Sequence, residues 1–344
     1  MSRVVVFGPD NISRGEFQAK CSRGWMLDGS KSVSGGGQTT VSISADVAAQ
    51  KWLQVGRMVL VEHAKLPAWA GMIDTPWRAS LPAQLTLYNA AYLLSLRVPD
   101  ASISMTGTVY GIASRVIDAI NAQEELYLRA GNFSGLDVSR EQTFDQQSYW
   151  QRLNEMVARA GKEMFLRPAM TDGRLTIYVD IQDRAGVDTG FLLHDGENAN
   201  MQVSEATLDG QIVNRLIGVS DQSTQASRLA TGALLNENSR AIYRLRSKVN
   251  LYSGISDPTT LLQNTTLDLA YAAWPRLILK LNILDVGDTF KYLQPGNSFI
   301  IQAANNLYLP GGVQGWRGVA RLTALAYDED SESVGATVEA QYGQ

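Results

Sequence analysis

Hydrophobic and polar residues alternate over short segments of the first hundred residues, a pattern that predicts β-strands separated by turns. The strand-like segments are 4–7, 39–44, 57–62, 68–74 and 83–90, and clusters of Gly, Pro or Asp lie between them. The Gly- and Ser-rich stretch 32–40 lacks the following helix and the Lys-Ser/Thr pair of a phosphate-binding loop. Residues 1–100 are therefore predicted to form a first β-domain.

The pattern changes to helical spacing between residues 101 and 200. Apolar residues recur at helical intervals from Val109 to Ile120 and again from Tyr149 to Ala160. Ser148 is the expected N-cap of the second helix, and Gly161 its expected C-terminal cap. Two strands then flank Asp172-Gly173, a pair typical of a tight hairpin turn. This segment is predicted to be an α+β insert lobe.

Strand patterns return in residues 201–344. The sequence predicts strands at 211–220 and 241–252, and a helix that begins at Pro258, with Asp257 as N-cap, and ends at Trp274. Further strands run to the C-terminus. The predicted fold class is β-rich α+β, with a first β-domain over 1–100 completed by strands from 201–250, an insert lobe over 101–200 and a second β-domain over 201–344.

One line of the sequence occurs twice, 240 residues apart. KWLQVGRMVLVE begins at Lys51, and KYLQPGNSFIIQ begins at Lys291. An alternating strand precedes each copy, and a Trp-x-Gly strand follows it. The repeated positions are Trp52, Gly56, Trp69 and Gly71 in the first copy, and Tyr292, Gly296, Trp316 and Gly318 in the second. Either the chain contains an internal duplication, or two unrelated hairpins have similar turn chemistry. Packing roles are expected for both Trp-x-Gly tryptophans rather than ligand binding.

Composition narrows the possible classes of protein. The chain has 344 residues, of which 45% are hydrophobic and 19% charged, with a net charge of −4, so the whole molecule is not a general nucleic-acid binder. Cys21 is the single cysteine, which rules out an internal disulfide and a cysteine-based zinc site and fits assembly in a reducing cytoplasm. We expect neither an N-terminal signal peptide nor a membrane span.

Candidate chemistry is sparse. The two histidines, His63 and His194, lie in different predicted units without a second metal ligand at suitable spacing. The run from His194 to Glu197 has the composition of a turn, and no G-x-S-x-G nucleophile motif is present. A pair of carboxylates that meet only in space stays open. We expect no catalytic residue, no cofactor and no metal site.

Three basic residues, Arg244, Arg246 and Lys248, are spaced two apart on the predicted strand 241–252. On a strand, this spacing places all three side chains on one face. They either protect a strand edge or form a subunit contact, or they bind phosphate. Because the chain is acidic and the face lacks interleaved aromatic residues, we expect a subunit interface or ring face.

Several segments together resemble the bacteriophage tail-hub family, which includes the baseplate hub and the hub of the tail tip. The resemblance covers approximately residues 40–340 and depends on the order of loose motifs. The matching segments are WAGMID (69–74), AAYLLSLR (90–97), the helix and hairpin of 148–179, DGQIVNRLIGVS (209–220), LQPGNSFII (293–301) and GWRGVARLTALAYD (315–328).

This resemblance implies a structural virion protein with two tail-tube-like β-barrel or sandwich domains. It implies a homotrimer, whose six β-domains match a six-fold tail tube and surround a channel for phage DNA. The implied partners are tail-tube and distal-tail proteins and tail-tip fibre or spike proteins, in a phage tail assembled in the host cytoplasm. A distal-tail ring protein, a secretion-spike hub and a carbohydrate-acting β-protein remain alternatives.

Overall fold

The structure is a computed structural model, which describes residues 1–26, 38–78, 83–145, 147–194, 201–209, 212–220, 228–252, 255–284, 289–309 and 313–341. The described residues form two large β-sheets, three small sheets and six α-helices. The β-rich α+β class expected from the sequence is thereby confirmed.

The first large sheet comprises strands from the first ninety residues. Its elements, with the strand and two helices that accompany them, are β1 (Ser2–Phe7), β2 (Ser13–Ala19), β3 (Arg23–Met26), β4 (Gln38–Ile43), α1 (Ala45–Ala48), β5 (Met58–Glu62), β6 (Trp69–Arg78), β7 (Ala83–Asn89) and α2 (Ala90–Ser95). The strand order is β2-β1-β5-β6-β7-β4. A bridge between Cys21 and Val41 brings the two edges together, so the sheet curves back around its own core.

The insert lobe contains two helices and five strands: β8 (Ile103–Thr108), α3 (Val109–Gln123), β9 (Leu128–Phe133), β10 (Ser139–Phe144), α4 (Tyr149–Arg159), β11 (Glu163–Thr171) and β12 (Arg174–Gln182). The expected caps are present, because the Ser148 hydroxyl accepts a hydrogen bond from the Gln151 N–H and Gly161 has a positive φ. Asp172 and Gly173 also have positive φ and join β11 to β12, which confirms the predicted hairpin.

Both faces of the first sheet's inner strands are buried. Val4 and Val6 of β1 point into the core enclosed by the sheet, whereas Val5 and Phe7 pack with α3 and α4 of the insert. The side chains of β5 also alternate between these two cores. A strand buried on both sides needs apolar residues at successive positions, which explains the continuous runs VVVF and MVLV.

The remaining elements form the second large sheet and a smaller lobe. They are β13 (Asp188–His194), β14 (Met201–Asp209), β15 (Arg215–Ser220), β16 (Leu234–Leu235), α5 (Glu237–Tyr243), β17 (Ser247–Tyr252), α6 (Pro258–Ala272), β18 (Arg276–Leu284), a 3₁₀ helix (Thr289–Tyr292), β19 (Ser298–Leu309), β20 (Val313–Asp328) and β21 (Ser333–Gln341). The second sheet has the order β13-β19-β20-β21-β18-β14, and β3 also pairs with β20. Alternate residues of β18, from Leu277 to Ile283, fill its core.

The two large sheets contain a common four-strand unit. In the first unit, the neighbours are β5-β6-β7-β4; in the second, they are β19-β20-β21-β18. In both units the strand that comes first in sequence lies at the far end, beside the last strand, and the intervening pairs are antiparallel. A short helix follows the first strand of each unit, namely α1 and the 3₁₀ helix.

Two expectations for residues 201–252 were wrong. Strand β14 does not complete the first sheet but pairs with β18, and β15, β16 and β17 form a separate three-stranded sheet on which α6 packs. The segment expected as one long strand over 241–252 begins as helix α5, because the Asn236 side chain accepts a hydrogen bond from the Ser239 N–H and caps it. We call the unit of β15, β16, β17, α5 and α6 the small lobe.

Candidate functional site

The repeated turn has a defined geometry in the first unit. The Leu53 N–H donates to the Gln50 carbonyl at 3.1 Å, and the Gly56 N–H donates to the Ile73 carbonyl of β6 at 2.7 Å. The Ile73 N–H returns a bond of 2.9 Å to the Arg57 carbonyl. Gly56 has a φ of +80°, a conformation that glycine adopts without a steric penalty. The turn thus directs the chain into β5 and ties it to β6.

The second copy makes the corresponding bonds. The Leu293 N–H donates to the Phe290 carbonyl at 3.0 Å, and the Gly296 N–H donates to the Leu322 carbonyl of β20 at 2.8 Å. The Leu322 N–H returns a bond of 2.8 Å to the Asn297 carbonyl, and Gly296 has a φ of +96°. The likeness of the two lines of sequence therefore extends to the hydrogen bonds of the backbone.

The aromatic residue of each copy stacks on a phenylalanine from a neighbouring strand. Trp52 lies 6.3 Å from Phe17 of β2, and Tyr292 lies 5.1 Å from Phe191 of β13, measured between ring centroids. Tyr292 is 38% exposed, so stacking leaves much of its ring on the surface. In both units this contact holds the turn against the sheet.

The glycine of each Trp-x-Gly strand lies beneath the preceding tryptophan. A Cβ atom on Gly71 would overlap the Trp69 ring and the Tyr88 carbonyl, and one on Gly318 would lie 2.5 Å from Cζ2 of Trp316. Trp69 is 2% exposed and belongs to the core enclosed by the first large sheet, while Trp316 packs at the margin of the core of the second large sheet. The glycines therefore make room for an indole ring, and the two tryptophans have the packing role expected from the sequence.

The three basic residues do not share a strand face. Arg244 has a φ of +61° and ends helix α5, Arg246 lies in the link, and Lys248 alone belongs to β17. All three are exposed, and β17 is an edge strand of the small lobe. The physical reason for the error is the cap at Asn236, which starts a helix where apolar and basic residues alternate as in a strand.

A buried ion pair at the junction of the two large sheets was not found from the sequence. The side chains of Arg23 and Glu329 are 0% and 3% exposed and lie 3.6 Å apart. Glu329 also accepts hydrogen bonds of 2.8 Å from the Ser2 hydroxyl and the Cys21 N–H. Burial raises the pKa of Glu329, but these hydrogen bonds, together with the N-terminal ammonium of Met1 at 3.0 Å from the carboxylate, outweigh it and the pKa is lowered. Glu329 lies within the acidic run DEDSES, and the sequence does not distinguish it from the other acidic residues of that run.

A second junction joins the insert to the second sheet. Arg321 of β20 makes a bidentate ion pair with Glu163 of β11 and donates to the Gly296 carbonyl at 3.0 Å and the Ala185 carbonyl at 2.7 Å. Arginine is suited to this role because its guanidinium presents several donors in a fixed plane. One side chain therefore links the insert, the repeated turn and the linker before β13.

His63 follows β5 of the first large sheet, and His194 belongs to β13 of the second. The His63 ring lies 5.3 Å from that of Tyr327, and His194 ends β13. Asp195, Gly196 and Glu197, which the sequence predicts to form a turn, lie outside the described residues. In the part of the chain that is described, no group of three or more His, Cys, Asp or Glu residues is placed to hold a metal ion, and no helix is long and apolar enough to cross a membrane.

Solved structures match nearly the whole chain. The prophage tail protein gp18 from Listeria monocytogenes has a TM-score of 0.60 at 10% sequence identity, with 99% of this chain and 94% of that chain covered. The 43 kDa tail protein of prophage MuSo2 from Shewanella oneidensis has a TM-score of 0.56 at 11% identity, with 98% of each chain covered. No protein-family model and no curated protein matches the sequence.

A type VI secretion component of E. coli, described as structurally similar to the T4 bacteriophage tail proteins gp27 and gp5, also matches. Its TM-score is 0.51 at 12% identity, with 99% of this chain and 77% of that chain covered. At such low identities the similarity establishes the fold. This chain has the fold of phage tail proteins from end to end, and the resemblance stated from the sequence is confirmed at that level.

Proposed function

We propose that this chain is a structural hub protein of a phage tail tip, and that three copies form a ring. The observation that carries the proposal is the pair of β-units with one strand order and one turn geometry in a single chain. Three such chains supply six similar units. A ring of this kind presents pseudo-six-fold symmetry to a tail tube on one side and three-fold symmetry to the tip on the other.

The proposed ring surrounds a channel through which phage DNA passes without sequence-specific contact. DNA binds basic surfaces through its phosphates, so a passage that releases DNA needs a neutral or acidic wall. The net charge of −4 is consistent with such a wall. The proposed partners are tail-tube and distal-tail proteins above the ring and tail-tip fibre or spike proteins below it, in a tail assembled in the host cytoplasm.

The hub role is a structural one, and we propose no catalytic activity for this chain. The chain shares its fold with solved tail proteins, and the repeated residues have packing roles in both units. A distal-tail ring protein fits less well, because such a protein needs one tube-like unit in each of six chains.

The second candidate is the hub of a secretion spike, which the match to the E. coli type VI secretion component favours. Both candidates predict the same ring, since both place two tube-like units in each of three chains. They differ in location. A hub of a phage tail is present in purified virions, where mass spectrometry detects it at three copies per tail, whereas a spike hub is found with secretion sheaths.

The ring itself is tested by electron microscopy of the purified full-length protein. Class averages should show three-fold rings with six similar densities around a channel, and light scattering should give the mass of three chains. Rings of six chains with one tube-like density each would instead indicate a distal-tail protein and contradict the proposal.

A further inference from the structure

Among the residues that the structure describes, none covers one face of the small lobe's sheet. Strands β15 and β17 are parallel, and their register pairs Ile217 with Val249 and Val219 with Leu251. These four residues share one face. Val249 and Leu251 are 55% and 66% exposed. Apolar patches of this kind on a folded protein mark contacts with another macromolecule.

Helix α6 covers the opposite face. A Cβ atom on Gly218 would overlap the Thr265 hydroxyl of α6, and the Tyr252 hydroxyl donates a hydrogen bond of 2.6 Å to Asp268 of the same helix. In the described part of the chain, the sheet is therefore covered by α6 on one side and open on the other. Strand β17 is also the end of the order β16-β15-β17, so the described residues provide no strand partner for its outer edge.

Basic residues surround the open face. Residues 212–252 contain six Arg or Lys and two acidic residues, a net charge of +4 in a chain whose total is −4, so the rest of the chain carries −8. The exposed Arg244 and Arg246 lie just before β17, and Arg215 of β15 pairs in register with Ser247 on the open face, whereas Lys248 alternates to the face that α6 covers. Among the described residues, none of the side chains of Arg215, Arg244 and Arg246 forms an ion pair with a carboxylate. We call this surface, with Ile217, Val219, Val249 and Leu251 at its centre, the basic-apolar face.

We infer that the basic-apolar face binds a second copy of this chain, in a head-to-tail contact with an acidic surface of that copy. Charge decides between the two symmetric possibilities. If the face met its own equivalent across a two-fold axis, three cations would oppose three cations, and such like-charge contacts are unfavourable. The remainder of the chain carries −8, so a neighbouring copy offers the complementary sign.

This contact rests on the proposed hub function and specifies how its ring closes. A heterologous contact that repeats by rotation generates a closed ring. The exposed aliphatic centre distinguishes the face from a DNA-binding surface, which would have polar and aromatic residues among its cations. The small lobe of each copy would then reach across the boundary to the next.

The charge contribution is tested with the triple variant Arg215→Glu, Arg244→Glu, Arg246→Glu in the full chain. Sedimentation at low salt should show a Kd of assembly raised about 100-fold or more, because each reversal turns an attraction into a repulsion. The wild-type assembly should weaken as salt is raised, since exposed charges are screened. The control is Lys51→Glu, Arg57→Glu, Arg115→Glu, which changes the net charge equally and should leave the Kd unchanged.

The apolar contribution is tested with Val249→Ser, Leu251→Ser. We expect the Kd of assembly to rise about 10- to 100-fold, because the exposed side chains lose their burial in the contact. Thermal unfolding of the monomer should be unaffected, which separates a lost interface from a lost fold. The matched control is Leu136→Ser, Val187→Ser, two positions in connecting segments that are 75% and 64% exposed.

Mixing wild-type and charge-reversed chains separates the two symmetries. A two-fold contact would bring a basic face against an acidic one and give mixed dimers more stable than either parent, a result that would overturn the inference. Loss of short duplex DNA binding in the triple variant, with assembly intact, would overturn it as well. If three-chain rings form with a Kd that none of these substitutions changes, the contact is refuted but the hub function is not. A chain that stays monomeric at every concentration refutes both, and head-to-tail rings of another size refute the trimer alone.

Discussion

The backbone at Gly56 and Gly296 has φ values of +80° and +96°, in a region that residues with a Cβ atom enter at a cost. The two positions differ in their surroundings. A Cβ atom on Gly56 would meet nothing within 4 Å, whereas one on Gly296 would lie 2.6 Å from the Ala185 carbonyl oxygen. The same turn is thus exposed in one unit and packed against the linker in the other.

Alanine at each position should therefore have different costs. Gly56→Ala should lower the free energy of unfolding by about 1–2 kcal/mol, the cost of a left-handed conformation. Gly296→Ala should cost more, because the linker must also move. Urea unfolding measures both, with Gly232→Ala as a control at a position without positive φ or near neighbours. Equal losses for the two variants would show that the linker yields freely.

Tyr252 gives the small lobe a pH dependence at high pH. Burial, followed by the hydrogen bond to Asp268, raises the pKa of Tyr252 to about 12 from the ordinary value of 10.0. A raised pKa stabilises the fold fully below the unfolded value and loses that contribution as pH rises from about 10 to about 12. The loss should be on the order of 2–3 kcal/mol. Tyr252→Phe should have a shallower dependence of unfolding free energy on pH over this range, and an unchanged slope would contradict the assignment.

At the scale of elements, local signals predicted most helices and hairpins correctly. Some signals lie within a few residues of the helix or hairpin that they determine, as do the caps at Ser148 and Asp257 and the Asp172-Gly173 turn. The pairing of strands has no such local signal. The pairing of β14 with β18, and of β3 with β20, depends on contacts between distant residues that leave no mark in either segment. The repeated turn was visible because two copies could be compared.

The junction between the two large sheets depends on Glu329. Glu329→Gln should lower the free energy of unfolding by about 3–5 kcal/mol, because the buried Arg23 guanidinium loses its carboxylate. The neighbouring Asp330→Asn is the control. Its ion pair with Lys20, at 3.0 Å, is exposed, and its loss should cost under about 1 kcal/mol.

Acid should weaken the same junction. A lowered pKa contributes stability above the unfolded value and loses it as pH falls through the folded value, so wild-type stability should drop below about pH 4.5 and Glu329→Gln should drop less. Similar losses for the Glu329 and Asp330 variants at neutral pH would show that the junction tolerates an unpaired arginine.

At the scale of the whole molecule, the insert is less peripheral than its amphipathic helices suggest. Helices α3 and α4 share one core with the outward faces of β1 and β5. A periodic apolar face shows that a helix is covered on one side, but not by what. Removal of the insert would expose Val5, Phe7, Met58 and Leu60, so the first sheet and the insert should behave as one cooperative unit.

Phe7→Ala tests this cooperativity. Phe7 is 0% exposed and faces the insert, so truncation should cost about 3–5 kcal/mol. Hydrogen exchange should then accelerate by similar factors in α3 and in β5, because both belong to one core. Acceleration confined to the first sheet would mean that the insert folds independently.

Strand β3 joins residues 23–26 to β20 near the other end of the chain, at residues 324–327. During synthesis, the first sheet can form once its own strands have left the ribosome, but β3 must wait for its partner through most of translation. Contacts so distant in sequence form slowly and leave a strand edge open meanwhile. The pairing of β3 with β20 therefore completes the junction late in synthesis, and a chain interrupted before β20 cannot form it.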